Sequence, residues 1–492
     1  MTFAHLPALE VVVPLAAAPV AVLLRRAGPA WAVATAAFTF SFVAALLLAA
    51  EVAANGPISY HFGSWPPPWG IEYRVDALSA FVLVLVSGVA AAVVPYSWHS
   101  VAAELPRDQA YLFYAMYCLC GAGLLGMTVT GDAFNLFVFM EIASLSSYVL
   151  IALGRDRRAL LAAYQYLILG TIGATFFVIG VGLLYLMTGT LNMADIAARL
   201  PPLAGSRPVL AALAFITVGV SLKLALFPLH SWLPNAYAYA PSSATALLAA
   251  TATKVSVYVL LRFYFGIFGL QLVIDSLMPQ ILLVLSLVAI ASASLVALWQ
   301  SDLKRLFAWS SVAQIGYIML GVSMASPEGL TAAVVHLFNH GITKGALFLL
   351  AGGIALRAGS TAMSCLHGLG RRIPLTSLGI VIAGLSLIGV PGTAGFVSKW
   401  YLVLGAIEAG RWWLAGFVVA TSLIAVAYVW RFVEAAYLDE PGKAAPEPEE
   451  VPRAMLVPAL AMATACVVFG LYTSWTVGAA QRAAGLLLGG SP

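Results

Sequence analysis

Fourteen apolar segments, most of them long enough to cross a lipid bilayer, follow one another along this chain of 492 residues. A hydrocarbon core about 30 Å thick needs roughly 20 apolar residues in a helix, and it offers no partner to unpaired backbone groups. Only 9% of the residues are charged and 62% are hydrophobic, whereas a soluble domain has about a quarter charged residues. The sequence therefore predicts an all-α integral membrane protein with about fourteen transmembrane helices.

The predicted spans divide the chain into four parts. In chain order they cover 9–24, 31–54, 76–97, 110–130, 133–153, 161–188, 209–240, 243–266, 276–298, 304–325, 329–353, 373–406, 412–438 and 452–476. We expect an N-terminal three-helix segment, two larger repeats, and a last transmembrane helix with its tail, over residues 1–97, 110–266, 276–438 and 452–492.

Lysine and arginine are unevenly distributed among the predicted loops. Loops after odd-numbered spans hold thirteen of them, whereas the even-numbered loops and the C-terminal tail hold five. Cytoplasmic loops carry such an excess. We therefore expect a protein of the cell inner (plasma) membrane with both termini on the outside. Residues 55–75, rich in proline and aromatic side chains, should then form an ordered external cap. Residues 439–453 should form a flexible acidic cytoplasmic loop.

Two predicted spans, 209–240 and 373–406, are too long for one straight helix. Prolines and glycines interrupt them, at Pro228, Pro234, Gly389, Pro391, Gly392 and Gly395. Backbone groups freed at membrane depth are tolerated only where protein or a water-filled cavity satisfies them. The two spans lie five apart in order, which predicts inverted five-helix repeats over spans 4–8 and 9–13, each with a broken helix. This pattern indicates a transport site; kinks caused by packing alone are the alternative.

Ionisable residues inside the predicted spans are the candidate functional groups. Glu141 is the only acid that we place well inside a span, and the bases are Lys223, Lys254, Lys344 and Lys399. A charge at the bilayer centre costs about 2.5–3.5 kcal/mol on insertion scales. Lys223 is the favoured partner of Glu141, with a static ion pair as the alternative. A desolvated lysine can release its proton, which arginine cannot, so the remaining lysines indicate proton transfer.

The segment HLFNHGITKGALFLL places His336, His340 and Lys344 four residues apart. Residues at this spacing lie on one helix face, about 6 Å from one another. Two histidines at this spacing are also half of a zinc site, but Leu337 stands where the HExxH motif has glutamate, so we expect no metal. We predict a polar stripe that is bridged by water.

Five motifs together resemble a known family. They are MEIASLSSY around Glu141, SLKLALFPLHSWLPNAY around Lys223, LAATATKVSVYVLLR around Lys254, HLFNHGITKGALFLL, and GVPGTAGFVSKW around Lys399. With them, nearly the whole chain resembles the antiporter-like subunits of respiratory complex I, membrane-bound hydrogenases and Mrp-type sodium/proton antiporters. The resemblance implies that Glu141 and Lys223 form a coupled pair, that Lys254 is a central relay and that Lys399 is the terminal site. It implies that His336, His340 and Lys344 carry the proton between the halves.

Within that family the chain looks most like the D subunit of Mrp antiporters. The similarity lies in PPPWGIEYRVDALSAF, in WLPNAYAYAPSSATALLAATATK and in lysine at position 399, where the M-type subunit of complex I has glutamate. The chain ends sixteen residues after the last predicted span, which implies that it lacks the long lateral helix of the Mrp A and complex I L-type subunits. The N-type subunit of complex I is not excluded.

Three functions follow as hypotheses. The first is a proton-conducting subunit of a multi-subunit sodium/proton antiporter, and the second is a proton-pumping subunit of a complex I-like NADH-quinone oxidoreductase or a membrane-bound hydrogenase. The third is a permease that works alone. The expected partners are other membrane subunits, protons, lipid and, as a further candidate ion, sodium. The sequence shows no cysteine cluster for iron–sulfur binding and no dinucleotide fingerprint, so we expect no cofactor, and its small net charge of +4 indicates no nucleic acid.

Overall fold

The computed structural model describes residues 5–440 and 449–489, and nearly all of them are helical. The helices are α1 (Leu6–Leu24), α2 (Ala27–Asn55), α3 (Ala77–Glu104), α4 (Ala110–Val129), α5 (Ala133–Ala152), α6 (Arg158–Thr188), α7 (Met193–Arg199), α8 (Arg207–Leu224), α9 (Leu233–Tyr239), α10 (Ser242–Leu261), α11 (Leu270–Asp275), α12 (Met278–Leu298), α13 (Leu303–Met324), α14 (Pro327–Ala358), α15 (Leu369–Arg372), α16 (Pro374–Ile388), α17 (Ala394–Glu408), α18 (Trp412–Val433), α19 (Arg453–Leu471) and α20 (Ser474–Leu487). Residues 441–448 of the predicted acidic loop lie outside the described residues.

Thirteen helices in the described part of the chain are long and apolar enough to cross a membrane. The remaining predicted span, 373–406, is divided into α16 and α17, which have 15 residues each. The prediction of a multi-pass helical membrane protein is therefore confirmed. The inverted relation between the two five-helix units stays a prediction.

Both long spans break where proline and glycine predicted it. The helix α8 ends at Leu224 and is capped by Ala225, which adopts a left-handed conformation with φ 60°, and α9 begins at Leu233. The helix α16 ends at Ile388 and is capped by Gly389, with φ 89°, and α17 begins at Ala394. At the start of α17, a Cβ added to Gly395 would lie 1.8 Å from the carbonyl oxygen of Ser386. Glycine is thus required for the two halves to pack this closely.

One antiparallel hairpin departs from the predicted all-α fold. Its strands, β1 (Ile58–His61) and β2 (Glu72–Val75), lie in the predicted cap. Proline at three successive positions, 66–68, prevents a helix here. The backbone N–H of Gly131, between α4 and α5, donates to Glu72 O at 2.8 Å and holds the hairpin against the bundle. The side of the bundle that carries β1 and β2 is called the hairpin face below.

The helix α14 forms the centre of the bundle. All its residues from Gly329 to Ile354 are buried, and it packs against α3, α10, α13, α16, α17, α19 and α20. A helix that is buried on every side has no surface for lipid, so its polar side chains must be satisfied inside the protein.

The C-terminal tail is a second departure from the sequence prediction. The last span ends at Leu471, five residues earlier than predicted, and α20 follows it. This helix turns back against α3 and α14, and the ring of Trp475 lies 5.4 Å from that of Phe338. The tail therefore closes one side of the bundle around α14.

Candidate functional site

Glu141 and Lys223 form an ion pair between α5 and α8. The Nζ atom of Lys223 lies 3.6 Å from Oε1 of Glu141 and donates to the hydroxyl of Ser144 at 2.6 Å. Lys223 occupies the last turn of α8, where the free carbonyl groups of a helix end favour a cation. One of these carbonyls, that of Leu222, accepts from the indole N–H of Trp232 at 2.9 Å. Trp232, which lies beyond the break, thus binds the same helix end that carries the ion-paired Lys223.

Glu141 lies at the lateral surface of the chain. Its side chain is 25% exposed, whereas that of Lys223 is 3% exposed. The same face of α5 carries exposed apolar side chains, Phe134, Val138, Leu145 and Val149. The carboxylate therefore opens onto an apolar surface at membrane depth.

Lys254 lies in the middle of α10 and is 1% exposed. Its Nζ atom donates to Ala249 O at 2.5 Å and to the hydroxyl of Thr253 at 3.3 Å. No carboxylate of the described residues forms an ion pair with it. Lys254 lies close enough to α14 for its charge to act on His336, His340 and Lys344.

The predicted stripe on α14 is present. The rings of His336 and His340 are nearly parallel, at 10°, with centroids 5.8 Å apart. Neither ring nitrogen of His340 has a hydrogen-bond partner among the described residues. One turn further on, Lys344 donates to Phe307 O at 2.7 Å and to the Ser310 hydroxyl at 2.5 Å. No three His, Cys, Asp or Glu side chains of the described chain come together as metal ligands would.

Lys399 lies just after the second break. Its Nζ atom donates to Ile388 O, at the end of α16, at 2.7 Å and to the hydroxyl of Ser422 on α18 at 2.9 Å. It also lies 4.7 Å from the ring centre of Tyr317. The preceding residue, Ser398, is joined to Nδ1 of His336 at 2.7 Å, so the α14 stripe and Lys399 are adjacent.

Six of the seven predicted site residues are buried inside the bundle, and the seventh, Glu141, lies at its lateral surface. We call Glu141, Lys223, Lys254, His336, His340, Lys344 and Lys399 the buried line. Hydrogen bonds do not join its members directly in the described chain; Ser144, Ser310 and Ser398 bind individual members. The gaps of one helical turn between His336, His340 and Lys344 are of a size that water bridges where polar groups surround it.

Sequence reasoning missed two buried charged residues, Lys304 and Glu10. Lys304, one of the thirteen basic residues that the charge distribution assigned to loops, is 7% exposed and donates to the Ser242 hydroxyl at 2.8 Å. The backbone N–H of Ser242 in turn donates to Glu104 at 2.8 Å. The statement that Glu141 is the only acid well inside a span needs correction, because Glu10 in α1 is 0% exposed. Its position in the predicted span 9–24 was the available signal; the burial of Lys304 depends on neighbours far away in sequence.

The fold and the buried line define an antiporter-like membrane subunit, and comparisons with known proteins give the family. The sequence profile of the NADH:quinone oxidoreductase/Mrp antiporter transmembrane family matches residues 130–425, and the chain belongs to this family.

The chain has relatives among NADH-quinone oxidoreductase subunits and among Na(+)/H(+) antiporter subunits. The chain is 44% identical to NADH-quinone oxidoreductase subunit N of Desulforudis audaxviator, over 95% of this chain and 96% of the relative. It is 30% identical to the D subunit of the Na(+)/H(+) antiporter of Bacillus subtilis, over 92% and 91%. A chain of the Mrp complex from Dietzia sp. superposes with a TM-score of 0.91 at 27% identity, over 99% of this chain and 98% of that one.

Proposed function

We propose that this chain conducts protons along the buried line as one subunit of a multi-subunit membrane complex. The observation that carries the proposal is the set of acceptors around Lys254, Lys344 and Lys399. Each ammonium group donates only to carbonyl and hydroxyl oxygens, and none has a carboxylate partner in the described chain. Because desolvation disfavours the charged form of an amine, a lysine in such a site can take up and release a proton. An ion pair with a structural role would need a fixed opposite charge.

The two ends of the buried line support a role within an assembly. Glu141 opens onto an apolar face of α5, and a carboxylate exposed to lipid is costly. At the other end, Ser422, which accepts from Lys399, is half-buried on α18. We infer that neighbouring subunits cover both flanks and continue the path. A permease that works alone fits this arrangement poorly.

The surrounding complex is either a sodium/proton antiporter or a complex I-like oxidoreductase. The antiporter was expected from the sequence, and the similarity to the D subunit of a Na(+)/H(+) antiporter supports it. The higher identity to a protein named NADH-quinone oxidoreductase subunit N supports the second candidate. We propose a plasma-membrane location with both termini outside, on the basis of the lysine and arginine bias.

Glu141→Gln tests the proposal. The variant keeps the shape of the side chain but cannot ionise, and it removes the charge 3.6 Å from Lys223. We expect proton transport by the whole complex to fall by more than about tenfold, because a buried charge at this distance is worth several kcal/mol at an effective dielectric constant near 20. The measurement is dye-reported proton flux in vesicles that carry the assembled complex, driven either by a sodium gradient or by NADH and quinone. The driving force that supports flux identifies the complex.

Glu10→Gln is the control, since Glu10 is likewise an acid in a membrane span but lies outside the buried line. It should transport at the wild-type rate. If Glu141→Gln assembles on native gels and transports normally, its pair with Lys223 is structural and the proposal fails.

A further inference from the structure

Tyr258 and Arg262 continue the polar face of α10 beyond Lys254. The three residues are spaced four apart, so they lie on one face with about 6 Å between neighbours. Tyr258 is 2% exposed and its hydroxyl donates to Thr128 O at 2.8 Å, while Nε of Arg262 donates to the Tyr258 hydroxyl at 3.0 Å. This face leads from the centre of the bundle to the hairpin face.

Arg262 forms an ion pair with Asp76, the residue that caps α3. Oδ1 of Asp76 accepts from Nη2 of Arg262 and from the backbone N–H groups of Leu78 and Ser79, both at 3.1 Å. Burial raises the pKa of Asp76, but the charge of Arg262 and hydrogen bonds from Arg262 and Ser79 outweigh it and lower the pKa below its ordinary value. Both members of this pair are therefore charged at neutral pH.

A cavity of about 350 Å³ adjoins the pair at the hairpin face. Asp76, Tyr258 and Arg262 are among its lining residues, together with Glu72 and Thr130. The carboxylate of Glu72 is held by the hydroxyl of Ser59 at 2.5 Å and the amide of Asn192 at 2.8 Å. Two arginines, Arg74 and Arg262, also line the cavity and balance its two carboxylates in charge. Arg262 carries the charge that comes next after Lys254 along this helix face.

We propose that the cavity is the vestibule of a second proton path, from the hairpin face to Lys254, and that Arg262, Asp76 and Tyr258 form its gate. The proposal rests on the proposed role of Lys254 as a proton carrier. Arginine does not give up its proton, so Arg262 cannot relay one; it acts by its charge, as an arginine in a pore repels cations. Asp76 neutralises that charge in part, and the Tyr258 hydroxyl, engaged with Thr128, closes the remaining step to Lys254.

Two charge-removing variants separate a gate from a structural clamp between α3 and α10. Asp76→Asn retains the helix cap, because asparagine caps as well as aspartate, but leaves Arg262 uncompensated. We expect it to lower proton flux through the complex by roughly tenfold, the effect of one charge about 12 Å away at an effective dielectric constant near 20. Arg262→Gln removes the repelling charge, and we expect a proton leak without any driving reaction, raised by roughly tenfold. If the ion pair only holds α3 and α10 together, both variants should change proton flux in the same direction.

The leak is measured with a pH-sensitive dye in vesicles that carry the whole complex under an imposed pH gradient. Adding Lys254→Gln to Arg262→Gln should remove the leak, since the path runs through Lys254. The coupled transport of Lys254→Gln alone reports separately on the proposed function. The gate would be overturned if the leak changed in the same direction in Asp76→Asn and Arg262→Gln. It would also be overturned if the leak persisted in the double variant of Lys254 and Arg262.

If the charge variants fail to assemble, Tyr258→Phe still tests the gate. It removes only the hydroxyl that joins Thr128 and Arg262, and it should raise the leak without a change in charge. An unchanged leak and unchanged coupled transport in Tyr258→Phe would also reject the gate.

Discussion

At the scale of single residues, the two kinds of basic side chain have different partners. Apart from its two histidines, the basic members of the buried line are all lysines. Three of these four lysines have no acid partner in the described chain. Arg262, two turns from Lys254 on the same helix face, is paired with Asp76. A permanent cation needs a counter-charge when buried, whereas an amine can become neutral. The distribution is the one expected if the lysines change protonation state and the arginine does not.

Lys399→Arg tests this distinction. A static role, such as neutralising the free carbonyl groups at the end of α16, needs only a cation, and arginine supplies it. A relay needs a group that is neutral for part of each cycle, whereas arginine keeps its proton and stays charged. We expect the variant to assemble but to lose proton transport almost as fully as Lys399→Ala, in the vesicle assay described for Glu141→Gln.

The size of the residual activity decides the role of Lys399. Turnover above roughly half of the wild-type rate in a correctly assembled Lys399→Arg complex would make the lysine a fixed charge. Native gels that show loss of the complex would instead point to packing around Ile388 and Ser422, which Lys399 contacts.

At the scale of elements, the two broken helices place the lysines. Lys223 precedes the break in its span and Lys399 follows the break in the other. The Nζ atom of Lys399 donates to Ile388 O at the end of α16, whereas that of Lys223 contacts Glu141 and Ser144 on the intact helix α5. Only the second break therefore supplies a backbone acceptor to its lysine. The glycine at the second break fixes how closely α16 and α17 approach.

Gly395→Ala should therefore destabilise the chain. The new Cβ would meet Ser386 O at 1.8 Å, a distance that backbone movement must relieve. Overpacking of this kind costs about 1–3 kcal/mol, and it should lower the thermal unfolding midpoint of the purified complex and displace Lys399. Gly416→Ala on α18 is the matched control, because nothing lies within 4 Å of its added Cβ. Equal unfolding midpoints for the two variants would show that the close approach at Gly395 is not needed.

The sequence predicted the elements that have local signals. Length and hydropathy identify the spans, proline and glycine mark both breaks, and the four-residue spacing on α14 identifies its polar stripe. The helix α20 was missed because its 14 residues are too few to cross a membrane, although its buried residues recur at helical spacing. The burial of Lys304 beside Ser242, and the contact between Ser398 and His336, join residues about 60 positions apart. No periodicity in one chain reveals such contacts, so the members of the site were predictable and their connections were not.

At the scale of the whole molecule, the buried line crosses the chain from one flank to the other. It begins at Glu141 on the exposed face of α5 and ends at Lys399, next to the half-buried Ser422 of α18. A self-contained permease needs access from both membrane surfaces within one chain. Here the proposed path needs a neighbour at Glu141 both to shield the carboxylate from lipid and to exchange protons with it.

The isolated chain should accordingly show little ion exchange. Purified protein is reconstituted alone in proteoliposomes with a pH-sensitive dye, and a sodium gradient is imposed; vesicles with the whole complex serve as the positive control. We expect proton movement close to that of empty vesicles, because lipid at α5 leaves the carboxylate without a proton donor. Unfolding is excluded as the cause by showing that the same preparation restores transport when the other subunits are added. Robust sodium-dependent proton movement by this chain alone would mean that the line is complete within it, and that neighbouring subunits are not part of the path.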